Sequence, residues 1–201
     1  MIVITASIIV LFTSTASSDN GLFHAIVEYG GGAELSVESF TLYGDSNELL
    51  YTKSKPVTHT FYIGNTGVVY ALNEKQLYFY NHNGEETLLK DLNCANAFGF
   101  SPDHELFFAS DRDGLFAYSS GGELIYTFTP GRLFASTDKG KIIAIISTDT
   151  LFVYEDGKQK FIKQLSTPYI RNLSFSDDQK SIIVELPSGT EVFDSETGER
   201  R

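Results

Sequence analysis

The sequence predicts an all-β fold built from about five four-stranded antiparallel units, and three observations predict it. A short phrase returns five times, as SFTLYGDSNE from Ser39, QLYFYNHNGE from Gln76, GLFAYSSGGE from Gly114, TLFVYEDGKQ from Thr150 and TEVFDSETGE from Thr190. The aromatic that ends the strand within each copy (Tyr43, Tyr80, Tyr118, Tyr154, Phe193) recurs at steps of 37, 38, 36 and 39 residues. Between copies, short extended runs alternate with clusters of Gly, Asp, Asn, Ser and Pro, and no window of ten or more residues has helical periodicity. A period near forty across most of a 201-residue chain marks a solenoid or a propeller. Four strands per period make it a propeller-like array.

The unit at residues 97–131 shows the plan most clearly. AFGFS is followed by the turn SPDHE, LFFAS by DRDG, LFAYS by SGG, and ELIYTFT by PGR. Each separator supplies residues that favour turns or tolerate positive φ. The other units follow suit: TFYI, GVVYALN, QLYFYN and EETLLKDL from Phe61, and LFAS, KIIAIIS, TLFVYE and KFIKQLS from Leu133. The first unit is expected from about Leu22 as FHAIVEY, AELSVES, FTLYG and ELLYTKS. The last has NLSFS, SIIVEL and TEVFDS, with no fourth run before Arg201. The expected unit boundaries are 22–59, 60–96, 97–131, 132–171 and 172–201.

Two details support this register. The turn after the first run repeats as Ser101-Pro-Asp103, Ser136-Thr-Asp138 and Ser176-Asp-Asp178, whose side chains can bond nearby backbone amides. The second and third runs are apolar at consecutive positions, as in Ile142, Ile143, Ala144, Ile145 and Ile146, or Leu106, Phe107, Phe108 and Ala109. A sheet with one wet face would alternate. Continuous apolar runs fit strands sandwiched between neighbouring sheets, and the phrase recurs because each unit needs such a third strand and a hairpin to a more polar outer one.

The frame FSPDxxLxxAsxxGxLxxYxxxGelxxxF, as in Phe100-Ser101-Pro102-Asp103 through Phe128, resembles the WD40-like, YVTN and PQQ-like repeat propellers, over residues 22–201. The resemblance implies a fold and a habit of binding, without a cofactor. The chain departs from true WD40 repeats in lacking Trp-Asp and Gly-His dipeptides. It has no tryptophan at all, so the blade tryptophans of quinoproteins and the sialidase Asp-box are absent too.

Charge and cysteine content narrow the function. The formal charge is −11 and the pI about 4.7, with acids and bases scattered. Such a surface repels nucleic-acid phosphates and anionic lipid. The single cysteine, Cys94, excludes an intrachain disulfide and a multi-cysteine metal site, and reads as a small, partly buried side chain. Residues 1–18 read as a secretory signal peptide: Ile2 to Phe12 is uncharged, and small residues follow from Ser14 to Ser18. The rival reading is a β-strand that closes the last unit, because Ile, Val and Thr dominate the run and its leading end has no Lys or Arg. The first reading makes the protein secreted or periplasmic, the second cytoplasmic. A lipoprotein anchor is disfavoured because no cysteine follows the apolar run.

No strong catalytic or metal motif emerges. Asp111-Arg-Asp113-Gly114 and Asn81-His-Asn83-Gly84 resemble parts of a calcium loop but lack the later bidentate acid, and read as hairpin turns with Gly at positive φ. His24, His59, His82 and His104 are isolated, with no HxxxH pair. There is no GxSxG, Walker or HExxH motif, and Gly30-Gly-Gly32 leads into a strand rather than a phosphate-cradling helix. Asp177-Asp178 reads as a turn pair. Asn172-Leu-Ser174 meets the glycosylation pattern, but at the start of an inner strand it reads as chance.

The binding expectation rests on the loops between units, KSKPVTHT, LNCANA, TPGR and STPYIRN. They gather Lys53, Lys55, His59, Arg132, Tyr169 and Arg171 at one rim, able to take an anionic group or an acidic peptide. The ligand-binding candidates are Lys55, His59, Arg132, Tyr169 and Arg171, with no catalytic residue, no metal and no cofactor. The expected function is a non-enzymatic extracytoplasmic binding or scaffold module, monomeric, with a protein or glycan partner. The alternative is an enzyme, or part of a larger propeller enzyme of hydrolase, lyase or quinoprotein type.

Overall fold

The computed structural model describes residues 12–30, 36–54, 60–72, 75–95, 97–129, 131 and 133–201. They belong to two compact units, Met1–Asp91 and Leu92–Arg201. The closing strand expected within residues 2–12 lies outside the described residues except at Phe12.

The first unit holds two antiparallel sheets. One runs β1 (Phe12–Ser17), β2 (His24–Gly30), β3 (Ser36–Tyr43) and β4 (Leu49–Ser54). The other runs β5 (Thr60–Ile63), β6 (Val69–Leu72), β7 (Gln76–Tyr80) and β8 (Glu86–Asp91). The second unit holds three. They are β9 (Ala97–Phe100), β10 (Leu106–Ser110), β11 (Leu115–Ser119) and β12 (Leu124–Phe128); then β13 (Leu133–Ser136), β14 (Ile142–Ser147), β15 (Thr150–Glu155) and β16 (Lys158–Gln164); and finally β17 (Asn172–Phe175), β18 (Ser181–Leu186) and β19 (Gly189–Asp194). Within every sheet the strands pair in chain order, and the last has three strands, as expected.

The doubly buried strands are where the apolar runs place them. All of β6 and β10 is buried, and so are the first five residues of β14. Alternate residues of β14 feed two different cores. Ile142, Ala144 and Ile146 pack with Ile182, Val184 and Leu186 of the next sheet. Ile143 and Ile145 pack with Leu106, Phe108 and Leu115 of the preceding one. Each such Ile, Val, Leu or Phe side chain contributes about 1.5–3 kcal/mol by leaving water. In the first unit, Phe40 meets Tyr80 edge-on at 5.1 Å, joining the two sheets. The fourth strands β4, β8, β12 and β16 are largely exposed. In each four-stranded sheet the third and fourth strands slip register, as at Ala117/Tyr118 and Val153/Tyr154, which twists the outer strand.

One turn follows the first strand of every sheet. The carbonyls of Ser18, Gly64, Ser101, Thr137 and Ser176 accept the N–H three residues on, from Gly21, Gly67, His104, Gly140 and Gln179, at 2.8–3.0 Å. Those five donors have φ between 59° and 80°. Where a hydroxyl opens the turn, it accepts the N–H five residues on: Phe23 to Ser18, Leu106 to Ser101 and Ser181 to Ser176 at 3.0 Å, and Ile142 to Thr137 at 2.9 Å.

This turn corrects two expectations. In the fourth sheet Thr137, not Ser136, holds the place of Ser101 and Ser176, because the hydroxyl must lie five residues before the strand. In the first sheet FHAIVEY supplies the second strand, and Ser36–Tyr43 is one strand where AELSVES and FTLYG were expected as two. The first strand is β1, paired with β2 from Phe12↔Tyr29 to Ser17↔His24. Its sequence, FTSTAS, carries little apolar signal.

Candidate functional site

The β16–β17 connection, residues 165–171, carries Tyr169 and Arg171. It is fixed at both ends: the Leu165 amide donates to the Asp149 carbonyl at 2.8 Å, and the Arg171 amide to the Glu185 carbonyl at 2.8 Å. Between them the Ser166 amide donates to Glu191 Oε1 at 3.2 Å, and the Tyr169 amide to Thr167 Oγ1 at 3.2 Å. Glu191 is 2% exposed and takes Arg200 on that same oxygen at 3.2 Å. Its Oε2 has no hydrogen-bond partner among the described residues. On this anchored loop Tyr169 stands 73% exposed, and Arg171 is exposed too.

Lys55, His59 and Arg132 lie outside the described residues. Lys53, at the end of β4 in the first unit, directs its ammonium over the Tyr80 ring, 5.8 Å from the centroid.

The other sequence motifs are accounted for locally. Asn81 Oδ1 accepts the amides of Asn83 at 2.9 Å and Glu85 at 3.0 Å, and Gly84 has φ +71°, so NHNG is a hairpin turn. Asp111 is 1% exposed and takes the amides of Asp113 at 2.8 Å and Gly114 at 3.2 Å on one oxygen and that of Asn93 at 3.0 Å on the other. Gly114 differs from expectation: it is not among the positive-φ residues, and glycine is required because a Cβ would sit 2.3 Å from the Phe128 carbonyl oxygen. No group of three or more His, Cys, Asp or Glu residues placed to hold a metal occurs among the described residues. His24 stacks on Tyr43 and His104 on Phe100, at 5.1 and 4.5 Å. Cys94 is exposed, not partly buried, and sits at φ 60°. Asn172 opens β17 and is exposed.

A concavity that the sequence did not reveal lies at the other end of β17 within the second unit. It is a cleft of about 480 Å³ bounded by the turn at Thr137–Ile142, by Asp178, Gln179 and Lys180, and by the turn at Asp194–Thr197. Its acids are held by neighbours. Asp194 takes the amides of Thr197 and Glu196, both at 2.9 Å, and the Arg201 guanidinium, which together bring its carboxyl down to about 2. The Ser176 hydroxyl and the Lys180 amide hold the Asp178 carboxyl below its ordinary value. Burial alone would lower the Lys160 ammonium, but hydrogen bonds to Glu196 and Glu155 raise it. In the sequence these acids read as turn and solubility residues. Nothing in the spacing of Lys141, Asp178 and Glu196, which lie 18 to 55 residues apart, shows that they meet.

No family model matches the chain, and no curated protein matches it. Among solved structures it is similar to a eukaryotic initiation factor, with a TM-score of 0.70 at 13% identity over 94% of this chain and 54% of that one. It is also similar to Hsv2 of Kluyvelomyces marxianus, with a TM-score of 0.61 at 10% identity over 93% and 62%. A KlHsv2 in which loop 6CD is replaced by a Gly-Ser linker gives 0.63 at 11% over 92% and 63%. The chain therefore spans less than two thirds of these structures. With five antiparallel sheets and neighbours of propeller type, its fold class is the all-β propeller-like array expected.

Proposed function

We propose that the protein is a non-enzymatic binding or scaffold module that recognises a protein or glycan through the loop face carrying Tyr169 and Arg171. The observation that carries this reading is the 73% exposure of Tyr169 on a loop whose backbone is pinned by Asp149, Glu185 and Glu191. An aromatic and an arginine held on fixed backbone lose little entropy on binding, and these residue types dominate interface energetics. Within the propeller class, we assign the repeat to the WD40-like, YVTN and PQQ-like group. What supports this is that the frame from Phe100 to Phe128 is laid out as β9–β12.

The compartment depends on residues 1–18. Their removal would accompany export and their retention a cytoplasmic module. The pairing of β1 with β2 and the turn opened by Ser18 support retention, and the proposed module keeps these residues.

Binding is tested by applying the protein and its Tyr169→Ser/Arg171→Ser variant to arrays of defined glycans and acidic peptides. Retained fold and loss of at least about tenfold in affinity for a bound member support the reading. Binding unchanged in the variant, or none by the parent protein, overturns it.

A further inference from the structure

We infer that the uncovered edge of β19, from Gly189 to Val192, is an interaction surface that takes an extended, basic segment of a partner polypeptide as a fourth strand. The other sheets show how a third strand is completed. In the first three, one amide-to-carbonyl bond closes the hairpin that ends it: Gly44 to Glu48 at 2.9 Å, Asn81 to Glu85 at 3.2 Å and Ser119 to Glu123 at 2.8 Å. The next residue opens the fourth strand and pairs with the aromatic that ends the third, Leu49 with Tyr43, Glu86 with Tyr80 and Leu124 with Tyr118. The last sheet repeats this start. The Asp194 amide donates to the Glu199 carbonyl at 2.8 Å, and Arg200 bridges Phe193. The Arg201 amide then donates to the Val192 carbonyl at 2.9 Å. Among the described residues, no strand lies against β19 beyond that point.

The edge has a defined register and chemistry. Outward-facing groups alternate along an antiparallel strand, so the bonds at Val192 and Asp194 place the amide and carbonyl of Thr190 on the same open side. Gly189 and Thr190 are exposed. Unpaired backbone of this kind is a template for an added strand. The place after Arg201 falls opposite Glu191, on the face that Phe193 and Arg200 share. From that face Arg200 brings its guanidinium to Glu191 Oε1 at 3.2 Å, so this buried carboxylate is within reach of side chains on a fourth strand. Glu191 Oε2 is without a hydrogen-bond partner among the described residues. On the other face an added strand meets Val192 and, next to it on β18, Ile183, both half-buried. The segment that fits therefore alternates basic with β-branched apolar residues. Its charge is complementary to a chain whose formal net charge is −11. Residues 2–11 of this chain carry no charged side chain and do not supply that chemistry. The edge is distinct from the Tyr169 loop, which belongs to the β16–β17 connection.

The test adds short capped peptides that alternate Lys with Val to the full chain, with amide hydrogen exchange read by NMR. In the free protein the Thr190 amide should exchange fast, and saturating peptide should slow it by about tenfold or more. With Lys opposite Glu191, the Val amides face β19, as the Arg201 amide does. Methylating the Val nitrogens should therefore weaken binding by about tenfold or more, whereas methylating the Lys nitrogens should leave it unchanged. A peptide with Glu in place of Lys should bind more weakly than the Lys form. Absence of saturable binding, or equal binding by the Val-methylated or the Glu peptide, overturns the inference. So does protection of Thr190 without peptide: protection lost on deleting residues 1–11 assigns the edge to this chain's own leading segment, and protection that grows with protein concentration assigns it to a second copy.

Discussion

Asp103 Oδ2 accepts the backbone N–H of Lys139 at 2.7 Å, across 36 residues and from one sheet to the next. Its Oδ1 takes the Ser101 hydroxyl at 2.7 Å and the Glu105 amide at 3.3 Å. One carboxylate therefore closes its own turn and clips it to the neighbouring one. Similar links join Asp138 to Gln179 in the second unit and Asn20 to Asn65 in the first. Asp103→Ala should lower stability by about 1–3 kcal/mol, since it strands donors on two turns. Urea unfolding checks this, and Asp103→Asn, which keeps an acceptor, should cost less.

Glycine is required at residue 114 for space. A Cβ there meets the Phe128 backbone oxygen at 2.3 Å, which no rotamer can relieve, whereas at Gly189 a Cβ meets nothing within 4 Å. Gly114→Ala should cost about 3 kcal/mol or more, and Gly189→Ala, at φ 140°, about 1 kcal/mol. Thermal unfolding of the two variants gives the order.

Tyr51 buries a hydroxyl that has no hydrogen-bond partner among the described residues. Tyr51→Phe keeps the ring that meets Phe40 edge-on at 5.8 Å and removes the orphaned group. Stability should hold or rise by up to about 1 kcal/mol. A loss above about 1 kcal/mol in urea would show that the hydroxyl has a partner.

Alkaline pH should destabilise the fold before it affects an unfolded chain. Burial, aided by the charge of Asp111, pushes the Tyr118 phenol up to about 12 from 10.0, and burial raises Tyr51 and Tyr80 as well. Above pH 10 the unfolded phenols lose protons that the folded ones keep. The unfolded state then binds fewer protons and gains population as pH rises. Stability is full below about pH 10 and falls between about 10 and 12, with Tyr118 alone contributing on the order of 1–3 kcal/mol. Urea unfolding midpoints from pH 8 to 11 check the direction, and Tyr118→Phe should flatten the slope.

The apolar runs made the interior legible. Ile142 to Ile146 and Leu106 to Ala109 could be placed as doubly buried strands because no other β environment tolerates five or four consecutive apolar residues. The first sheet was less legible. β1 is built from Thr, Ser and Ala after Phe12, so neither hydrophobicity nor alternation marks it. What could have found it is Ser18-Asp-Asn20, which matches Ser101-Pro-Asp103 and Ser176-Asp-Asp178 and makes the same turn. Loop position alone put Tyr169 and Arg171 in a connection between units, and they lie in the β16–β17 connection. The cleft was not found, because Lys141, Lys180 and Glu196 meet only through packing between sheets that the chain order does not encode.

The measurement that bears most directly on the five-sheet array is hydrogen–deuterium exchange, read by mass spectrometry, over residues 12–18 of the full chain. Pairing of β1 with β2 and the Ser18 amide bond to the Phe23 carbonyl at 2.9 Å predict slow exchange for part of this segment, comparable with β5. Exchange at the rate of an unstructured peptide, or loss of these residues from the folded protein, would contradict the first sheet and with it the array as described.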